Sequence, residues 1–178
     1  MAYAMSDEVS AEAPQSSFDR LFLREYSRVA GIAYRVLRDA DEAEDIAQEV
    51  FCSFYRRHSP DAPYAAAWLH RAASHAALNA VRGKRRRTQR ETAVEEHRVR
   101  LGDDGDPARA AESAEGRAEL QRALARLPEK SASILVLRYS GLSYAEVAAA
   151  LGVSTGQIGT LLRRAEAALK KEMTHATP

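Results

Sequence analysis

The sequence is poor in cysteine, in long apolar runs and in any alternation with a period of two. Of 178 residues only Cys52 is a cysteine, so neither a disulfide framework nor a multi-cysteine zinc cluster can be built. The purely apolar runs are a few residues each, against the roughly 20 needed to cross a bilayer, and no apolar signal segment opens the chain. A cytoplasmic protein with no membrane span is therefore expected. Without period-two alternation there is no case for a β-sheet. Catalytic groupings are missing as well. Asp41, Glu42, Glu44 and Asp45 come without a paired-histidine motif or a glycine-rich loop, and His70 and His75 are five apart, off a common helical face. Neither an enzyme, a metal nor a cofactor is expected.

Hydrophobic residues make up 46% of the chain, enough for a core. The net charge of +1 hides a strong segregation. Residues 1–17 carry −3, residues 18–87 +4, residues 88–116 −4 and residues 117–178 +4. Within the first basic segment, Asp39–Glu49 holds six acids and no base, while Tyr64–Arg87 holds six bases and no acid. A solvated helix face is the plainer account of any one block, but opposite blocks in one segment suit different partners.

Apolar spacing predicts an all-α protein of two small helical domains joined by a flexible linker. Residues 1–17 read as a disordered tail and 174–178 as a second tail. A helical stripe runs from Phe18 to Leu37. Asp39 and Glu42 then form a reciprocal cap pattern before a stripe of Ala43, Ile46, Ala47, Val50, Phe51 and Phe54. Ser59–Pro63 breaks the helix, and a third helix carries Trp68, Leu69, Ala72 and Ala73 into the bases Arg82–Arg87. Residues 88–116, acidic and poor in large apolar side chains, read as the linker. A second helical domain is expected over 117–173, with a break at Pro128 and another near Gly141.

The strongest local pattern lies at Ser143–Leu169. Ser143 with Glu146, and Ser154 with Gln157, are capping-box pairs flanking Gly152. Ala148, Gly152 and Ile158 have the spacing of a helix-turn-helix: small Ala lets the helices cross, Gly makes the corner, and Ile locks the second helix. That geometry turns Ser154, Thr155, Gln157 and Thr160 outward, with Arg163 and Arg164 one turn on. In the third helix, Tyr64, His75, Asn79, Arg82, Lys84, Arg85, Arg86 and Arg87 suit a polyanion, bases tracking phosphates while aromatics and amides meet unstacked nucleobases. Beside the lesser option of an RNA-binding or purely scaffolding helical protein, these features leave two readings open. One is an autonomous helix-turn-helix regulator, with residues 18–87 as sensor or dimerisation module. The other is a transcription initiation factor acting with polymerase.

Three stretches, in this order, carry a resemblance: DADEAEDIAQEVFCSFYRR (Asp39–Arg57), AAWLHRAASHAALNAVRGKRRR (Ala66–Arg87) and LPEKSASILVLRYSGLSYAEVAAALGVSTGQIGTLLRRAEAAL (Leu127–Leu169). Over roughly Phe18–Glu172 the chain resembles the extracytoplasmic-function (ECF) sigma factors of the sigma-70 family, in the form with only the second and fourth sigma regions. The resemblance implies that Glu44, Asp45, Gln48, Glu49 and Phe51 dock on the β′ clamp helices of core RNA polymerase. It implies that the Ser59–Tyr64 loop and the basic helix melt and read the −10 element, and that Ser143–Lys171 reads the −35 element of promoter DNA. It further implies that Leu127–Tyr139 holds the β flap, and that an anti-sigma factor is a further partner. One departure stands out. Gly159-Thr160-Leu161 occupies the place where the family commonly has Lys-Ser-Arg, so two phosphate-binding bases are missing.

Overall fold

The structure is a computed structural model that describes residues 16–91 and 107–174, all of whose regular elements are helices. In chain order these are α1 (Ser17–Leu37), α2 (Ala40–Arg57), α3 (Ala65–Glu91), α4 (Pro107–Arg126), α5 (Glu129–Tyr139), α6 (Tyr144–Leu151) and α7 (Thr155–Thr174). The linker expected over 88–116 falls largely on 92–106, outside the described residues, as do 1–15 and 175–178 of the two tails. Helix occupies the linker's margins: α3 continues to Glu91, and α4 opens on Pro107. Proline suits the first helical position, where no amide donor is needed.

Local signals set most helix ends. Ser16 and Asp19 form a complete capping box at the start of α1. The helix stops where Arg38 takes a left-handed conformation (φ 55°), its amide bonding the Tyr34 carbonyl. Asp39 then caps α2 by accepting from the Glu42 amide at 3.0 Å. The reciprocal half of that expected pattern does not form, because the Glu42 carboxylate reaches across to Lys84 Nζ at 2.6 Å. An ion pair to α3 has displaced a local cap.

α1 packs along both α2 and α3. Alanines permit the close approach: Ala33, Ala47, Ala73 and Ala77 are fully buried beside Leu21, Ile32, Phe54 and Leu69. Burying a side chain such as Phe54 contributes about 1.5–3 kcal/mol. Inside this core lies a polar pair, in which His70 Nε2 donates to Glu25 Oε2 at 2.9 Å. Arg24 Nε donates to the other Glu25 oxygen at 3.0 Å. Burial pushes the Glu25 carboxyl up, but the hydrogen bonds and charges of Arg24 and His70 outweigh it and hold the group below the ordinary carboxylate range.

α5, α6 and α7 form a second packed group, with α4 against α7. The two groups do not stand apart. α3 packs against α4, α5 and α6, α1 touches α5, and the buried apolar residues of both form one continuous cluster. Nothing in the sequence pattern marked this contact between the two groups of helices.

Candidate nucleic-acid interface

α2 is two-faced. Ala43, Ala47, Val50, Phe51 and Phe54 point inward, while Glu44, Asp45, Gln48 and Glu49 are exposed. Phe51 differs from the sequence expectation, which grouped it with the docking residues. It is 2% exposed, held under Phe22 at 4.9 Å and Phe18 at 6.2 Å between ring centroids. Its ring lies on the inward face of α2, opposite the exposed acids. Phe18 in turn meets the exposed Tyr55 edge-on at 4.8 Å. That edge-on geometry is the favourable one for aromatic quadrupoles.

The loop between α2 and α3 carries an aromatic nest. His58 stacks on Phe54 with ring centroids 5.2 Å apart, and Trp68 lies 4.7 Å from it. Tyr64 closes the rim edge-on at 5.8 Å, its hydroxyl 3.5 Å from His58 Nδ1. Tyr64 was expected in this place; His58 was missed. Its signal was present, since an aromatic-like ring four residues after Phe54 falls on the same helical face. Such a rim offers flat surfaces for an unstacked base.

Along α3, His75 and Asn79 are exposed and hydrogen-bonded to each other at 3.2 Å. Arg86 and Arg87 point to solvent, and Lys84 pairs with Glu42. Arg82 behaves differently. Its guanidinium donates to the Leu127 carbonyl at 3.0 Å and the Ala125 carbonyl at 3.4 Å, at the C-terminal end of α4. Arg82, Arg85, Arg86 and Ala125 line a cationic cleft of about 360 Å³. Side chains expected to face one partner therefore divide between solvent and the second group of helices.

The helix-turn-helix forms as its spacing predicts. Ser143 and Glu146 make both bonds of the capping box, the Ser143 amide donating to Glu146 Oε2 at 2.8 Å. That amide bond, with the Arg28 guanidinium 2.8 Å away, holds the Glu146 carboxyl at about 2 despite partial burial. Gly152 adopts φ 65°, which costs a residue with a Cβ about 1 kcal/mol or more. Ile158 is fully buried and Ala148 nearly so. The second capping box is only half made. Gln157 Oε1 accepts from the Ser154 amide at 3.2 Å, whereas the Gln157 amide bonds the Ser154 carbonyl at 3.0 Å instead of the hydroxyl. Ser143, Ser154, Thr155, Gln157, Thr160, Arg163 and Arg164 are all exposed, while Leu161 is half-buried and turned toward the core.

Among the described residues, no helix is long and apolar enough to cross a membrane, and no cluster of three metal-ligating side chains occurs.

Comparison with known proteins points one way. Residues 21–87 match the family described as sigma-70 region 2, and residues 117–169 match sigma-70, region 4. The chain is 31% identical to the ECF RNA polymerase sigma factor SigE of Mycolicibacterium smegmatis over 94% of its length, spanning 65% of that relative. It is 32% identical to the RNA polymerase sigma-H factor of Pseudomonas aeruginosa, covering 88% of this chain and 86% of the relative. Two solved structures share the fold. The sigma factor RpoE of Bartonella quintana, solved with the anti-sigma factor NepR, matches at TM-score 0.50 and 20% identity over 88% of this chain and 96% of that one. CnrH, solved with the cytosolic domain of CnrY, matches at TM-score 0.50 and 22% identity over 90% and 89%.

Proposed function

The chain belongs to the sigma-70 family of RNA polymerase sigma factors, in its extracytoplasmic-function group, and from that membership we propose that it binds core RNA polymerase and directs initiation at a particular set of promoters. The observation that carries this reading is the segregation of charge by surface. The exposed acids Glu44, Asp45 and Glu49, with Gln48, occupy the outer face of α2. The exposed bases gather at the end of α3 and on α7. A negative surface attracts the basic clamp helices of the β′ subunit and speeds encounter, whereas the positive ones favour DNA.

In this reading, residues 18–87 dock on polymerase and open the −10 element. Tyr64, Trp68 and His58 rim the position of an unstacked base, at an unstacking cost of a few kcal/mol. Arg85, Arg86 and Arg87 follow the phosphates, and His75 and Asn79 lie beside them. Residues 117–173 bind the β flap through Leu127–Tyr139 and read the −35 element through α7. With Gly159 and Leu161 where bases are common in the family, phosphate contact shifts to Arg163 and Arg164. An anti-sigma factor is the natural antagonist, and the cytoplasm, where polymerase works, the natural compartment.

Run-off transcription from a promoter library with purified core polymerase tests the proposal. Addition of the chain is expected to produce transcripts from a subset of templates that core enzyme alone leaves silent. No stimulation on any template overturns it.

A further inference from the structure

The seam between the two groups of helices holds a cleft that the proposed activity does not use. Its floor is one face of α1, where Arg28, Gly31, Arg35 and Arg38 follow one another at helical spacing. Its far wall is the turn between α5 and α6, with Arg138, Tyr139, Ser140 and Tyr144. Two cavities meet there. One, of about 360 Å³, lies over α1; the other, of about 530 Å³, lies against the turn and α7, and Arg35 and Ser140 line both. The frame is held from each side. Gln121 of α4 closes the end of α1, its Nε2 donating to the Val36 and Leu37 carbonyls at 2.9 and 3.0 Å. Arg35 donates across the cleft to the carbonyl of Tyr139, the last residue of α5. Geometry fixed in advance lowers the ordering cost of binding a ligand.

The chemistry of the two cavities differs. Over α1 it is cationic. A guanidinium carries a fork of N–H donors, and the arginines here commit few of them. Arg28 gives one to Glu146 at 2.8 Å, Arg35 one to the Tyr139 carbonyl and Arg138 one to the Leu142 carbonyl at 3.2 Å. Arg38 lies over the Tyr34 ring at 5.4 Å and has no acid partner among the described residues. Glu166, the one acid on the lining, is engaged by the Tyr139 hydroxyl at 2.7 Å. Converging guanidinium forks match the oxygens of phosphate groups. The Ser140 hydroxyl oxygen is buried without a hydrogen-bond partner, a costly condition that a ligand oxygen beside it would relieve. The larger cavity is walled instead by the exposed rings of Tyr139 and Tyr144, with Leu162 beside them. Such rings offer flat faces to a nucleobase. Both volumes are those of a small-ligand site. We propose that this cleft binds a nucleoside diphosphate, with its phosphates among Arg28, Arg35 and Arg38 and its base against the tyrosines. Gly31 makes room for the phosphates, since a Cβ there would meet nothing within 4 Å. The phosphate subsite uses none of the side chains assigned above to polymerase or DNA.

Titration calorimetry of the full chain with ADP, GDP and inorganic pyrophosphate, in about 0.15 M salt, tests the site. At least one nucleotide is expected to bind one to one with a Kd below about 1 mM. Pyrophosphate, which has no base to stack, is expected to bind about tenfold more weakly. Gly31→Leu puts a side chain into the phosphate subsite while exchanging a glycine for a better helix former. It is expected to melt no lower than the wild-type chain and to lose binding of all three ligands. Arg38→Gln is expected to weaken all three about tenfold, the scale of one charge-assisted hydrogen bond. Arg56→Gln, which removes an exposed arginine of α2 away from the cleft, is expected to weaken none. Tyr144→Ala should weaken the nucleotide and spare pyrophosphate. Circular dichroism verifies that each variant is folded. Absence of saturable binding by all three ligands overturns the proposal, and so does binding left unchanged by both Gly31→Leu and Arg38→Gln. Pyrophosphate binding as tightly as the nucleotides overturns the part assigned to the tyrosines. None of these measurements involves polymerase, so failure of the sigma reading is detected separately by run-off transcription.

Discussion

At the scale of the residue, two carboxylates show how position sets chemistry. Glu146 is exposed enough to meet water, yet the Ser143 amide and Arg28 hold its carboxyl at about 2, against an ordinary value of 4.5. A carboxylate with a depressed folded value stabilises the fold above its ordinary range and loses that contribution as pH falls toward the folded value. Carbon-detected NMR of Glu146 is therefore expected to show a midpoint near 2. In Arg28→Ala the midpoint should rise while staying below 4.5, since the Ser143 amide still donates. An unmoved midpoint would show that Arg28 does not reach Glu146 in solution. Glu25 is the buried counterpart, and His70→Ala leaves its charge with Arg24 alone. Removing one partner of a buried pair costs about 3–5 kcal/mol, and the lower end applies because Arg24 remains. Chemical denaturation should register a loss of about 3 kcal/mol. The pair was not legible in sequence: His70 and Glu25 are 45 positions apart, and nothing in either stripe marks them as facing.

At the scale of the element, the caps and the corner were legible because they depend on residues three or four apart. The Ser143–Glu146 box, the Gly152 turn and the buried Ile158 formed as their spacing predicts. The two caps that came out incomplete, at Asp39 and Ser154, failed where a side chain or backbone group had another partner within reach. Gly159 bears on the same helix. A Cβ there would meet only the Tyr144 ring at 3.9 Å, an ordinary contact, and the backbone is helical. Gly159→Ala should therefore stabilise α7 by up to about 1 kcal/mol, visible as a rise in melting temperature of about 2–4 °C. A fall would show that the glycine is needed for a reason outside the helix. Gly152→Ala, with positive φ at the corner, should act in the opposite direction by about 1 kcal/mol.

At the scale of the whole molecule, the charge map separates two functions. Asp45→Lys with Glu49→Lys should abolish association with core polymerase, measured by gel filtration, while leaving the melting temperature within a degree or two, because both side chains are exposed. Arg85, Arg86 and Arg87 changed together to Ala should leave polymerase association intact. Promoter opening should weaken, and its salt dependence should flatten by about three phosphate contacts. If both sets damage the same step, the two surfaces do not serve separate partners. The order of helices and the charged faces could be read from composition and period. The seam could not, since it is made by Gln121, Arg82 and Arg35 meeting carbonyls 43 to 104 positions away. A backbone acceptor leaves no residue type to recognise. Those borrowed caps have a spectroscopic consequence. If the groups of helices move apart, α1, α4 and α5 each lose the donor that completes their final turn, and terminal turns without partners fray. Opening would then be read in the far ultraviolet as a small loss of ellipticity. Rigid bodies gliding apart with their helices intact would leave that signal unchanged.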